Sequence, residues 1–168
     1  MTGGGIDLGR RGFLRGRFAS RPGPVRPPWS SEATIAAACN GCAACVTVCP
    51  QSIIRLDADM RPFIDFSAKE CTFCGHCAEA CQEAVFDRER LAFGHVVMIG
   101  EACFATRGVV CQSCGDICPE AAISFRLRIG GPALPALSGD RCTGCGACIG
   151  ICPADAISTC EEGEVAHG

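Results

Sequence analysis

The sequence predicts an α+β protein of two small tandem modules, made of short helices and antiparallel hairpins, behind a disordered basic tail. Two observations support this prediction: the chain is short of large apolar residues, and its cysteines form a repeat. Leu, Ile, Val and Phe account for only 37 of the 168 residues, too few for a conventional hydrophobic core. In contrast, 17 residues are cysteine, a share typical of disulfide scaffolds and metal proteins.

Residues 1–31 form the predicted tail, which is rich in Arg, Pro and Gly and cannot pack. Residues 1–28 have a charge of +5, whereas the rest of the chain carries −8. The run Arg10-Arg11-Gly12-Phe13-Leu14-Arg15 is similar to a twin-arginine export signature, but polar and basic residues follow where export needs an apolar stretch. We therefore predict a basic arm that suits an acidic partner or peripheral contact with an anionic membrane surface. The acidic body argues against nucleic acid as a partner.

The cysteines indicate a reducing compartment. No segment reads as a secretory signal, and none approaches the roughly 18 to 20 apolar residues of a membrane span. Disulfides are rare in the cytosol. We therefore predict a cytoplasmic protein that is not integral to a membrane and whose thiolates bind metal.

Sixteen of the cysteines fall into four groups that repeat along the chain. Three groups have the spacing C-x2-C-x2-C-x3-C, and the third group has five additional residues between its first two cysteines. The last cysteine of every group is followed five positions later by a large apolar residue. The groups are Cys39, Cys42, Cys45 and Cys49; Cys71, Cys74, Cys77 and Cys81; Cys103, Cys111, Cys114 and Cys118; and Cys142, Cys145, Cys148 and Cys152.

This spacing is typical of [4Fe-4S] ligands in bacterial two-cluster ferredoxins, where three cysteines hold one cluster and the fourth ligates its neighbour. A zinc ribbon has no use for a third cysteine in series. We predict four clusters, with the fourth ligands crossed in the first pair and left open in the second. The first takes Cys39, Cys42 and Cys45 with Cys81, and the second takes Cys71, Cys74 and Cys77 with Cys49. The third takes Cys103, Cys111 and Cys114 with Cys118 or Cys152, and the fourth takes Cys142, Cys145 and Cys148 with the other. Cys160, outside the period, is predicted to be a packing thiol and is the substitute ligand if Cys103 does not bind.

The local pattern predicts the loops and strands. Glycines in the cysteine loops permit left-handed backbone, and prolines after the last cysteines suit the first position of a short helix. These residues are Gly41, Gly75, Gly144 and Gly146, with Pro50, Pro119 and Pro153. Strands are predicted at 53–56, 62–66, 95–99 and 123–129 from their apolar content and alternation. The modules are predicted to span 32–92 and 93–168, and the protein without clusters should be largely unfolded.

The sequence lacks the features of an enzyme. A cluster with four thiolate ligands has no open coordination position and transfers one electron at a time. No dinucleotide or phosphate-binding loop is present, and the three histidines form no catalytic constellation. We predict that the chain is not an enzyme on its own.

The four cysteine groups, the altered group ending in Cys111-Gln-Ser-Cys114-Gly-Asp-Ile-Cys118-Pro119, and the basic head at residues 10–17 together resemble the NapF-type ferredoxins. That resemblance implies a cytoplasmic accessory protein whose partner is the precursor of the periplasmic nitrate reductase catalytic subunit. The partner is implied to carry molybdenum cofactor and its own [4Fe-4S] cluster. The expected role is insertion or reductive activation of that cluster before export. The alternative is a polyferredoxin electron-transfer subunit.

Overall fold

The computed structural model describes residues 23–161 and shows two small modules in tandem. Residues 1–22 of the predicted tail therefore lie outside the described residues. In the first module, α1 (Glu32–Ala38) precedes the first cysteine group, and α2 (Ala44–Thr47) lies within it. A hairpin of β1 (Ile54–Leu56) and β2 (Pro62–Ile64) leads to the second group, which contains α3 (His76–Glu79).

The second module contains two antiparallel strand pairs. Its elements are β3 (His95–Ile99), α4 (Ser113–Ile117), β4 (Ile123–Arg126), β5 (Leu134–Leu137), a 3-10 turn (Gly139–Arg141), α5 (Ala147–Gly150) and β6 (Ile157–Glu161). Strands β4 and β5 form the central hairpin, whereas β3 pairs with β6 across almost the whole module. The predicted strands are present, although β1 begins one residue later than predicted and β2 ends two residues earlier. Strand β4 ends before Leu127 and Ile129, which are exposed to solvent.

The short helices lie in a different place from the one predicted. Helices α2 to α5 fall inside the cysteine groups, not after them, and the three prolines occupy turns. In the first group, the Ser52 N–H donates to the Cys49 carbonyl at 3.0 Å, which closes a four-residue turn with Pro50 at its second position. The fixed φ of proline suits that turn position as well as it suits a helix start, which explains the wrong prediction.

The cysteines are part of the core. Ile53, Ile54, Ile64 and Phe66 form one buried cluster with Cys77. In the second module, Val97, Ile123 and Ile157 are buried together with Cys114 and Cys148. The apolar residues five positions after the last cysteines thus supply much of a small core that surrounds the thiols, as the shortage of apolar residues requires.

Packing against the first module begins at residue 25, before the predicted module boundary at residue 32. Residues 25–29, here called the N-terminal strap, bond to the module at both ends. The Ile64 N–H donates to the Val25 carbonyl at 2.7 Å, and the Trp29 N–H donates to the Ala92 carbonyl at 2.8 Å. Pro27 is fully buried between them. The predicted tail of residues 1–31 is therefore wrong for residues 25–31, because composition does not reveal these long-range bonds.

Arg26 anchors the strap through its guanidinium group, and its side chain is only 10% exposed. It contacts the carboxylate of Glu32 at 2.6 Å, the carboxylate of Asp57 at 3.3 Å and the carbonyl oxygen of Pro62 at 2.9 Å. The hydrogen bond from Arg26 is the main reason why the pKa of Glu32 is lowered. One mostly buried cation thus ties the strap to α1 and to the hairpin.

Within residues 23–161, every helix falls short of the length and apolar character that a bilayer span requires.

We predict that Arg26→Ala lowers the stability of the holo-protein by about 1–2 kcal/mol, because several charge-assisted hydrogen bonds are lost from a mostly buried site. The measurement is the urea midpoint for loss of cluster absorbance under anaerobic conditions. Arg61→Ala is the matched control, since Arg61 is 39% exposed and makes one ion pair with Glu32 at 3.4 Å. It should change stability by less than about 0.5 kcal/mol. Equal effects of both substitutions would show that the strap is not anchored in this way.

Candidate metal centres

Four cysteine-lined cavities lie within the described residues, each with about 320–360 Å³ of empty space that is partly open to solvent. Each cavity is lined by three cysteines of one group and by the last cysteine of the other group in its module. Cavity A is lined by Cys39, Cys42, Cys45 and Cys81, and cavity B by Cys71, Cys74, Cys77 and Cys49. Cavity C is lined by Cys103, Cys111, Cys114 and Cys152, and cavity D by Cys142, Cys145, Cys148 and Cys118.

The second module has a definite arrangement where the sequence left two. Cys152 lies at cavity C and Cys118 at cavity D, so in both modules the last cysteine of one group lies at the cavity of the other group. The stretched loop of the third group still brings Cys103 to cavity C, where it is buried. Cys160 is also buried, but it lies in β6 opposite Val96 and lines none of the four cavities.

Left-handed residues give the cysteine loops their curvature. All four glycines singled out from the sequence have positive φ, as predicted. In the regular groups, the second residue after the first cysteine and the first residue after the second cysteine are both left-handed. Ala43 and Phe73 occupy two of these positions, with φ of 61° and 55°. Such a conformation costs a residue with a side chain roughly 1–2 kcal/mol, so these two loops hold strained residues.

The third group forms its loop differently. Gly115, which follows Cys114, lies inside α4, and an added Cβ there would come within 2.7 Å of the Phe125 ring. Its positive-φ glycine is Gly108, in the segment that the regular groups lack. The longer segment thus replaces the tight double turn and still delivers Cys103 and Cys111 to one cavity.

Backbone amides point at sulfur in the second module. The Ala122 N–H donates to Sγ of Cys118, and the Ala156 N–H donates to Sγ of Cys152, both at 3.3 Å. Each donor follows the turn that begins at its own cysteine. Hydrogen bonds to cluster sulfurs stabilise the reduced, more negative cluster and so raise its reduction potential.

Burial raises the pKa of several cavity thiols. The pKa rises to about 12 for Cys77 and Cys148 and to about 11 for Cys45, Cys71 and Cys114, in each case mainly by desolvation. Neighbouring thiolates add to the shift. A buried thiol with such a pKa becomes an anion only when a cation compensates it, so cluster binding must displace protons.

The donor sets fit a cluster better than a single ion. Each cavity is lined by four thiol side chains that come from two separate loops, as at cavity B. Among the described residues, no set of three His, Cys, Asp or Glu side chains is grouped closely enough to hold one metal ion. Thiolates from two loops around a mostly apolar space are the setting in which iron–sulfur clusters are held.

Comparison with known proteins identifies the cofactor. Two family models match the chain, both described as a 4Fe-4S dicluster domain, over residues 38–86 and 108–156. The second match begins after Cys103, within the altered loop. No solved structure matches the chain significantly.

Full-length relatives are more specific. The chain is 40% identical over 155 residues to the ferredoxin-type protein NapF of Escherichia coli K12, covering 91% of this chain and 94% of that protein. It is 39% identical to NapF of Haemophilus influenzae, covering 90% and 93%. The chain belongs to the NapF family of ferredoxin-type proteins. The methylamine utilization ferredoxin-type protein MauM of Methylorubrum extorquens is also similar, at 33% identity over 76% of this chain and 67% of that protein.

Membership of this family confirms the predicted fold class and cofactor. The protein consists of two ferredoxin-like modules, and each dicluster module holds two [4Fe-4S] clusters, which makes four in all. When bound, these clusters supply one-electron redox chemistry, while the chain supplies the thiolates and controls access of solvent.

Two residues near the cavities were missed by the sequence reasoning. The guanidinium of Arg88 lies against the backbone of Gly75 in the second cysteine loop, 5.1 Å from the Trp29 ring centroid and 3.3 Å from the carboxylate of Glu79. His95 places Nε2 at 3.0 Å from the Gly144 carbonyl in the fourth loop. Neither contact has a signal in the cysteine spacing, since both depend on packing between distant segments.

We predict that the iron lost in double variants reports which cysteines share a cavity. Cys103→Ala and Cys152→Ala should each lower the iron content from about 16 to about 12 atoms, and the double variant should also retain about 12. Cys103→Ala with Cys118→Ala should retain only about 8, because those residues line different cavities. Iron and acid-labile sulfide are measured on anaerobically purified protein.

Cys160→Ala is the matched control for a buried cysteine outside the cavities, and it should retain all the iron. Full iron in the Cys103→Ala protein, or loss of two clusters from the Cys103/Cys152 double variant, would contradict the crossed arrangement.

Proposed function

We propose that this protein is a cytoplasmic accessory iron–sulfur protein that binds the precursor of the periplasmic nitrate reductase catalytic subunit and activates it reductively before export. The sequence resemblance and the NapF relatives support the nitrate reductase context. The observation that favours reduction over cluster insertion is the crossed arrangement, in which each cavity is closed by cysteines from two loops.

The proposed ligands are the sixteen cysteines that line the four cavities, in the sets given above for cavities A to D. Cys103 is the proposed ligand at cavity C, since it is buried at that cavity together with Cys111 and Cys114. Cys160 is proposed to be a packing residue of β6, because its place in the strand faces Val96. The proposed module boundary lies near residue 93, just before β3.

The crossed arrangement favours clusters that stay in the protein. Release of one cluster would require two separate loops to let go of their thiolates. It would also leave empty cavities among the few buried apolar residues, such as Ile54 at cavity B and Ile123 at cavity D. Cluster donation would thus cost the donor much of its folded structure. Transfer of an electron requires no thiolate to leave its cluster and therefore changes the structure of the donor far less.

The same geometry supports the proposal that the chain is not an enzyme on its own. Four thiolates per cluster complete the coordination of iron, so no substrate atom has a vacant position to occupy. What remains is the transfer of single electrons to a bound partner. The redox centre of that partner is proposed to be its own [4Fe-4S] cluster, which the family resemblance implies.

The second candidate is a polyferredoxin subunit that passes electrons to a redox enzyme without a role in maturation. The direct contact between the two modules, described below, favours electron passage through the molecule under either proposal. The two differ in what a deletion strain shows: normal maturation of the reductase in that strain would favour the plain electron carrier.

We predict that the protein reduces the precursor without giving it iron. Clusters labelled with ⁵⁷Fe are reduced with dithionite, the excess reductant is removed, and the protein is mixed anaerobically with precursor of natural isotopic composition. The two proteins should co-elute on size exclusion, the precursor cluster should become reduced, and the ⁵⁷Fe should stay with the accessory protein. The isotope is located by Mössbauer spectroscopy of the separated proteins.

Cys160→Ala is the control that retains every proposed ligand, and it should reduce the precursor like the native protein. Cys103→Ala lacks a proposed ligand and should deliver fewer electrons. Transfer of ⁵⁷Fe to the precursor would contradict the proposal of reduction and show that the protein inserts a cluster. Failure of the two proteins to associate would show that the precursor is not a partner.

A further inference from the structure

The two modules contact each other through the loops of two cluster cavities. The backbone N–H of Cys71, at cavity B, donates a hydrogen bond of 2.9 Å to the carbonyl oxygen of Cys145, at cavity D. The path between the two sulfur atoms otherwise runs through covalent bonds, from the Cys71 sulfur to the Cys71 amide and from the Cys145 carbonyl to the Cys145 sulfur. A single hydrogen bond therefore separates a thiol of one module from a thiol of the other.

Tight packing holds this contact in place. Phe66, which is 5% exposed, lies against Gly146, and a Cβ atom at Gly146 would overlap its ring. A Cβ at Gly150 would lie 3.0 Å from the Phe66 carbonyl oxygen. Ile149 packs against the buried hydrophobic residues of both modules. Phe66, Cys71, Cys145, Gly146, Ile149 and Gly150 are called the inter-module junction below.

Aromatic rings extend the junction on one side. The Phe93 ring centroid lies 6.2 Å from that of Phe66 and 4.8 Å from that of His95. His95 in turn contacts the Gly144 carbonyl through Nε2. The segment that joins the modules therefore packs into the contact, which involves this segment as well as the two cysteine loops.

The second cysteine of each group differs in exposure between the two modules. The second cysteine of the first two groups, Cys42 and Cys74, is exposed to solvent. The corresponding residue of the fourth group, Cys145, is only partly exposed. Cys111, the corresponding residue of the third group, is also partly exposed although it lies outside the junction.

We propose that the inter-module junction is an internal electron-transfer contact, so that the four clusters form one chain in the order A–B–D–C and not two independent pairs. In each step a reduced [4Fe-4S]¹⁺ cluster gives one electron to a neighbouring [4Fe-4S]²⁺ cluster, and both keep their four thiolates, with no proton or ligand exchanged. The electron comes from an external one-electron, low-potential reductant. The proposal rests on the cysteine assignments made above and is independent of the identity of the partner.

This order differs from the order of the groups in the sequence. Cavity D is lined by the last three-cysteine set of the chain, yet it lies next to the first module. Cavity C therefore lies at the far end of the proposed chain of clusters. Electrons that enter at cavity A would leave at cavity C after passing the junction. Docking of a donor and an acceptor at opposite ends would then not require them to compete for one surface.

The test compares two proteins that each retain two clusters. Cys42→Ala with Cys111→Ala removes ligands at cavities A and C and leaves the pair at B and D. Cys74→Ala with Cys145→Ala leaves the pair at A and C. Iron analysis should give about 8 atoms in each protein. After full reduction with dithionite, the first protein should show an electron paramagnetic resonance spectrum split by spin–spin interaction, and the second should show two isolated signals.

A second comparison keeps all sixteen proposed ligands, in case a two-cluster protein does not load. Gly150→Leu places a side chain against the backbone of Phe66 and should separate the modules, whereas Gly139→Leu is the control, since no atom lies within 4 Å of its Cβ position. The spin–spin interaction of the fully reduced protein should decrease in Gly150→Leu and stay native in Gly139→Leu. Flash reduction should likewise show redistribution of the electron at a rate independent of protein concentration, and this phase should be slowed only by Gly150→Leu.

Isolated signals in the protein that retains B and D, or identical spectra and rates for the two leucine variants, would overturn the proposal. The iron counts separate this outcome from a failure of the cysteine assignments. No arm of the test uses the precursor, so it is also separate from a failure of the proposed partner.

Discussion

The structure depends on one constraint: the last cysteine of each group must reach the cavity formed by the other group of its module. Three cysteines can be placed by a local loop, but the fourth brings together segments that are far apart in the sequence, such as Cys152 and Cys103. The hairpins, the turn after each last cysteine and the apolar residues that follow all lie on the path between one cavity and the next. A small apolar core suffices because the metal centres hold its two halves together.

Much of this arrangement could be predicted because its causes are local. Cysteine spacing indicates the cluster type, alternating apolar residues indicate strands such as β3 and β4, and loop glycines indicate left-handed backbone. The same repeat contained a signal that was missed: Ala43 and Phe73 stand at positions where glycine occurs in other groups. Alignment of the three regular groups would have indicated that these residues also adopt positive φ.

Long-range contacts explain what could not be predicted. The strap looks like an unfoldable segment by composition, yet Arg26 reaches Asp57, 31 residues away, and becomes part of the first module. The choice between Cys118 and Cys152 was open, since the altered loop removes the local spacing on which it depended. The pairing of β3 with β6 shows how the chain returns to the third group. The contact of Cys71 with Cys145 has no signature in either loop alone.

The β3–β6 pairing has a consequence for synthesis on the ribosome. All cysteines of the first module are available once Cys81 has emerged, but cavity C waits for Cys152, and the sheet beside it waits for residues 157–161. At about 5–20 residues per second, Cys103, Cys111 and Cys114 would spend several seconds as an incomplete site on the nascent chain. The first module can thus be completed earlier during translation than the second, which stays incomplete until β6 has been synthesised. Oxidants or foreign metal ions in the growing cell would therefore damage the C-terminal half first.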